Sequence, residues 1–126
     1  MSAAAIRRYE VGARSTEVLG RVLWSCRGQH FVADGPVHNG CPGEAATPAE
    51  LFLAGVATCG VELLQVLARD EDVQLRGARV EISGEIDPDH PVRPDVTVFN
   101  AVHLAFELDG VGEEEASRLV ERFKRR

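Results

Sequence analysis

TPAELFLAGVATCGVELLQVL, Thr47 to Leu67, decides how the rest of this chain is read. It opens with a helix start signal: Thr47 can cap, Pro48 suits the first helical position, and Glu50 stands three residues on to close a capping box. From Pro48 to Ala68 the only charges are Glu50 and Glu62, so the predicted helix is apolar nearly all the way round and is expected to be covered on most sides by protein. Near its middle sits one thiol, Cys59, beside the small residues Gly55, Ala57, Thr58 and Gly60, which leave room for another backbone or a ligand. A cysteine in such a place is most simply a small hydrophobe. To do chemistry it needs a thiolate, a positive neighbour and a route for substrate.

Upstream, residues 5–13, 17–26 and 29–34 read as short strands, the first two as a hairpin about Arg14-Ser15-Thr16. DGPVHNGCPGEAA, residues 34–46, is a Gly/Pro loop without periodicity. Downstream of the helix, whose end is expected to fray through Arg69-Asp70-Glu71-Asp72, residues 73–86 alternate as a half-buried strand. DPDHPVRPD, with three prolines, cannot be helical. Residues 96–108 form a second long strand, with Val96, Val98, Val102, Leu104, Phe106 and Leu108 on one face. Glu113-Glu114-Glu115 opens a short amphipathic helix whose acidic start and basic end suit the macrodipole. The order β-β-β-α-β-β-α makes the fold class α+β, in one domain spanning residues 1–126.

Composition narrows the function classes. In 126 residues, 44% hydrophobic and 27% charged, 20 acidic groups oppose 14 basic ones for a net charge of −6, so no nucleic-acid partner and no anionic membrane surface are expected. No apolar run is free of charge over a membrane's thickness, and MSAAAIRRYEV does not read as a signal peptide. Three cysteines without framework spacing fit free thiols in a reducing cytoplasm. His38 and Cys41 could be half a metal site, but His30, His90, His103 and Cys26 supply no second pair, so no metal is expected. No phosphate-binding loop or nucleophile elbow occurs, and no cofactor is called for.

HFVADGP, a glycine-bearing loop and TPAELFLAGVATC together resemble the OsmC/Ohr family, in its broader OsmC-like branch, from His30 to about Leu64, and the element order suits the remainder. The resemblance implies an intertwined α+β homodimer with a site at the dimer interface. It further implies a helix cysteine, here Cys59, that attacks organic hydroperoxides in oxidative stress, helped by a hairpin arginine, with Arg14 the candidate and Arg21 its rival. A second cysteine then resolves the sulfenic acid, and a thiol or dithiol reductant completes the cycle. Two departures stand out. In the family the resolving cysteine follows the last helix in a Cys-Pro motif, whereas RLVERFKRR ends at Arg126 without one. The chain is then truncated, or resolved differently, with Cys41 in HNGCPG the candidate thiol, or does not run the cycle. In the Ohr branch a carboxylate directly follows the helix proline; here that position is Ala49, and the acid is Glu50, one residue later.

Helix geometry constrains how these residues could meet. Nine residues separate Glu50 from Cys59, about 13 Å of rise and about 180° of rotation, so the two cannot touch within one helix. A shared site needs Glu50 from another subunit or from a twin helix packed antiparallel. Cys59 also lies about three turns from the helix start, too far for the dipole to activate it, so a cation must come from elsewhere. The expected function is a thiol-dependent peroxidase acting on small apolar hydroperoxides through Cys59, Glu50 and Arg14. The alternative is a non-catalytic OsmC-like dimer that binds a small apolar ligand, with Cys59 as inert core and Glu50 only a cap.

Overall fold

The structure, a computed structural model, describes residues 4–125. The chain divides into two compact units, Met1–Leu51 and Phe52–Arg126.

The first unit is an antiparallel three-stranded sheet, β1 (Gly12–Ser15), β2 (Arg21–Cys26) and β3 (Gln29–Asp34), in the order β1-β2-β3. β2 and β3 are joined by the two-residue turn Arg27-Gly28, both at positive φ (49° and 78°), the conformation that matches the twist of paired strands. The first connection is longer than Arg14-Ser15-Thr16. Ser15 still pairs with Val22, and the chain turns over residues 16–20. There the Thr16 hydroxyl accepts from the Val18 amide (3.1 Å) and donates to the Arg21 carbonyl (2.9 Å). The expected strand at 5–13 is mostly absent: Ile6, Tyr9 and Val11 are exposed at 82%, 83% and 66%, and beyond Ser25, the partner of Gly12, β2 has one residue, Cys26, before it turns. After β3 the loop holds one short 3-10 turn, Val37–Asn39.

Helix α1 (Pro48–Asp70) follows and continues into the second unit. Its start is the predicted capping box, and both halves form: the Thr47 amide donates to Glu50 Oε1 (2.9 Å) and the Glu50 amide to Thr47 Oγ1 (3.3 Å). Its end does not fray. Asp72 turns left-handed (φ 57°), the Val73 amide donates to the Ala68 carbonyl (2.8 Å) and the Asp72 amide to that of Arg69 (3.2 Å), a Schellman closure with aspartate in the glycine position. Glu71 then accepts from both Arg118 and Arg122.

The second unit pairs β4 (Gly77–Glu85) with β5 (Ala101–Asp109), antiparallel and in full register, and adds α2 (Glu113–Phe123). Both strands are shorter than expected. Asn100 closes the ladder: its amide donates to the Glu85 carbonyl (2.7 Å), its side-chain oxygen accepts from the Asp87 amide (2.7 Å) and its Nδ2 donates to the His90 carbonyl (2.7 Å). Beyond it the proline-rich loop contributes the isolated bridge Arg93–Val96 rather than a strand, so Val96 and Val98 lie outside β5, each 42% exposed. Leu64, Leu67 and Ala68 of α1 and Leu119 of α2 form the core, backed by Phe106, Leu108 and Phe123. Gly60 permits this docking. A Cβ there would already touch Phe123 (3.5 Å) and Phe106 (3.6 Å), so a larger side chain would push the helix away.

The expectation that α1 is covered on most sides does not hold within one chain. Only Gly60, Leu64, Leu67 and Ala68 are buried. One sheet and one helix can cover one face of a 23-residue helix, and the opposite stripe, Phe52, Gly55, Thr58, Cys59, Glu62 and Gln65, is exposed. By length and composition alone, with a mean hydropathy of 1.9 in its most apolar stretch, α1 could cross a membrane.

Candidate functional site

Cys59 is exposed, at the centre of that stripe. Helical spacing puts Gly55 and Glu62 one turn to either side of it on the same face. Gly55 has open space where a Cβ would stand, and Thr58 turns its hydroxyl back onto the Ala54 carbonyl (2.8 Å). The small residues therefore divide by face: Gly60 serves the chain's own core, while Gly55 leaves an approach to the thiol. α1 carries no cation between Pro48 and Ala68, and its one arginine, Arg69, lies ten residues and about 15 Å of rise from Cys59, so a positive partner for a Cys59 thiolate comes from another part of the fold. Phe52, at the head of the stripe, is 59% exposed and stacks on Phe99 with ring centroids 5.6 Å apart.

In the first unit, strand alternation separates the two faces of the sheet. Arg14 pairs with Leu23 and Leu23 with Val32, so these share a face with Arg21 and Asp34, two residues along their own strands. Ala13, Trp24 and Phe31 take the other face, where Trp24 and Phe31 stack at 4.2 Å. Arg14 is exposed, makes no ion pair among the described residues, and lines an open cleft of about 370 Å³ with Leu23, Ser25, His30 and Val32. Its rival is differently placed. Arg21 donates from Nε and Nη2 to the two oxygens of Asp34 (2.9 and 3.0 Å), and from Nη2 to Glu44 (2.8 Å). Those two carboxylates push its pKa further above the ordinary arginine value and occupy its fork.

Asp34 is the residue that sequence reasoning passed over. It is fully buried, and besides Arg21 it accepts from the backbone amides of Glu44 (2.9 Å) and Ala45 (2.8 Å). The Arg21 guanidinium first, then those amides, hold its carboxyl well below the ordinary 3.8, against the opposing effect of desolvation. The signal available was an aspartate at the end of one strand, before glycine and proline, with an arginine at the start of the strand before it. Folding lowers this pKa. The stability it contributes is therefore fully present above about 3.8 and is lost as pH falls through the folded value. In Asp34→Asn the acid limb of the stability–pH curve is expected to flatten below pH 4, a change that urea midpoints measured across pH 2–6 will read.

Glu50 spends its carboxylate on the cap. Bonds from the Thr47 amide and then from the Thr47 hydroxyl (2.9 Å) lower its pKa. Cys41 is less free than its loop suggested. A Cβ built on Gly20 or Gly35 would fall 2.3 or 2.5 Å from its sulfur, so the thiol fills a notch between two glycines, and Gly20 sits at φ 83°. Cys26 is half-buried on β2.

The family model described as OsmC-like protein matches residues 41–126. Solved structures share the fold at low identity. An OsmC-like protein from Mycoplasma pneumoniae has a TM-score of 0.80 and 16% identity, covering 95% of this chain and 82% of that one. An organic hydroperoxide resistance protein OsmC from Legionella pneumophila has a TM-score of 0.77 and 18% identity, covering 97% and 85%. An organic hydroperoxide resistance protein from Elizabethkingia anophelis, with thiocyanate bound, has a TM-score of 0.74 and 21% identity, covering 94% and 84%. No curated protein matches. With two thirds of its length inside that family model and the α+β order β-β-β-α-β-β-α, the chain belongs to the OsmC-like protein family.

Proposed function

We propose that this protein is a thiol-dependent peroxidase that reduces organic hydroperoxides through Cys59. The observation that carries the reading is the exposed thiol at the centre of the open stripe of α1, at the position the family motif assigns to its reactive cysteine. The binding-only alternative requires Cys59 to be inert core, and within the chain it is not packed there.

The Cys59 thiolate attacks the distal oxygen of the hydroperoxide. The sulfur–oxygen bond forms as the O–O bond breaks, the alkoxide takes a proton and leaves as alcohol, and Cys59 is oxidised to the sulfenic acid. A thiol reductant displaces water from the sulfenic sulfur to give a disulfide, and a second thiol returns Cys59 to the thiol state. Arg14 is the cation we assign to the thiolate, since Arg21 is occupied by Asp34 and Glu44. Glu50 lies on the opposite side of α1 from its own Cys59, so in this reading carboxylate and cation come from the partner protomer of a homodimer. Exposed Ile6, Tyr9, Val11 and Phe52 support that dimer, because apolar surface on this scale is ordinarily covered. The whole chain acts as one OsmC-like domain in the reducing cytoplasm, where its three cysteines stay free. Cys41 can resolve the sulfenic acid only after leaving its glycine notch, which favours an external dithiol.

The test is intact-mass analysis after a brief equimolar dose of cumene hydroperoxide with a sulfenic-acid trap. One adduct, mapping to Cys59, is expected. No adduct, with Cys59 resisting alkylation until denaturant is added, ends the peroxidase reading.

A further inference from the structure

Asp34 gathers four donors from two directions. Arg21 reaches it from within the sheet, and the Glu44 and Ala45 amides reach it from the returning limb of the Gly/Pro loop. Its own amide donates to the Ala46 carbonyl (3.1 Å), so residues 44–46 are bound to the end of β3 immediately before Thr47 opens the capping box. The outer loop is closed separately: the Gly35 amide donates to the Gly20 carbonyl (2.8 Å), the Gly43 amide to that of Gly35 (3.2 Å), and Cys41 fills its notch. The Asp34 carboxylate is thus the junction between the sheet and the first turn of α1.

A neutral side chain cannot replace it. Asparagine offers one oxygen with two lone pairs and would leave part of the four-donor set unpaired. Buried ion pairs contribute little net stability compared with apolar packing, and the hydrophobic core lies in the other unit, so what this junction secures is geometry. We infer that Asp34 is a positioning residue: through Ala45 and Thr47 it holds Glu50 in fixed register with the sheet face that carries Arg14. The structural half stands on the first unit alone, and the catalytic half rests on the peroxidase reading.

The experiment compares wild type, Asp34→Asn and Arg21→Gln in two measurements. The first is amide hydrogen exchange, followed by NMR. The Leu51 amide, which donates to the Thr47 carbonyl (2.9 Å), reports the first turn of α1, and the amides of Leu64 and Leu67 report the core. Asp34→Asn is expected to lose at least about tenfold protection at Leu51 with the core amides unchanged. Arg21→Gln, which spares the two backbone bonds, is expected to lose less, and it carries the test if Asp34→Asn does not fold. Unchanged Leu51 protection in folded variants overturns the inference. The second measurement is the pH profile of Cys59 alkylation by iodoacetamide, expected to move alkaline in Asp34→Asn. Lost protection with an unmoved profile overturns the catalytic half. A wild-type Cys59 that never forms a sulfenic acid overturns the peroxidase reading while leaving the exchange comparison intact.

Discussion

Cys59→Ser is expected to reduce hydroperoxide consumption to the uncatalysed background, a loss of at least about 1,000-fold, while the protein stays folded. Thiolate nucleophilicity is the property removed: a serine hydroxyl is not ionised near neutral pH and has no sulfenic state to enter. Because the residue is exposed within the chain, exchanging sulfur for oxygen opens no cavity there, so the loss is chemical. Cys26→Ser and Cys41→Ser supply the contrast. Each is expected to leave the first oxidation rate within about twofold, since neither sulfur is the one attacked. Peroxide consumption with a saturating dithiol, followed at several pH values, checks all three. Equal loss in Cys26→Ser and Cys59→Ser would place the chemistry elsewhere.

Leu64→Ala acts on stability. Leu64 is fully buried at the point where α1 meets α2, with Leu67, Ala68 and Leu119 around it. Truncation removes the transfer free energy of the lost carbons and leaves a cavity, because helix backbone on one side and the β4–β5 pair on the other resist collapse. A loss of about 3 kcal/mol is expected, within the range seen for buried leucines. Phe52→Ala, on the open stripe of the same helix, is expected to cost much less in the isolated chain. Urea unfolding at matched protein concentration checks both, since association would otherwise shift the midpoint. A Leu64→Ala loss below about 1 kcal/mol would mean that the core tolerates truncation far better than close packing allows.

How much of this was legible in the sequence differs from element to element. Thr47, Pro48 and Glu50 are local signals, satisfied by atoms three residues apart, and they mark the start of α1 without reference to anything distant. The alternation in β4 and β5, the acidic start of α2 and the Arg27-Gly28 gap between β2 and β3 are legible for the same reason. The motif ending at Cys59 also indicated the family. What failed depended on partners. Residues 5–11 have strand composition, yet a strand needs a neighbour, and β2 ends at Cys26, one residue past the partner of Gly12. Val96 and Val98 continue the alternation of β5, but the proline-rich segment beside them offers one isolated bridge, Arg93–Val96, and no strand. The end of α1 looked frayed from its charges and is closed by a backbone geometry that aspartate adopts only in context.

The site shows the same division. Sequence by itself determined the residue types, and it determined through helical geometry that Glu50 and Cys59 of one chain cannot meet. It named Arg14 with Arg21 as its rival and could not separate them; in the fold, strand pairing sets Arg21 opposite Asp34, which occupies its guanidinium, and leaves Arg14 open on the same face. Whether Cys59 faces core or solvent was likewise undetermined in a helix apolar on every side. Tertiary structure decided it, since a sheet and a second helix cover one face of α1 and the thiol lies on the other.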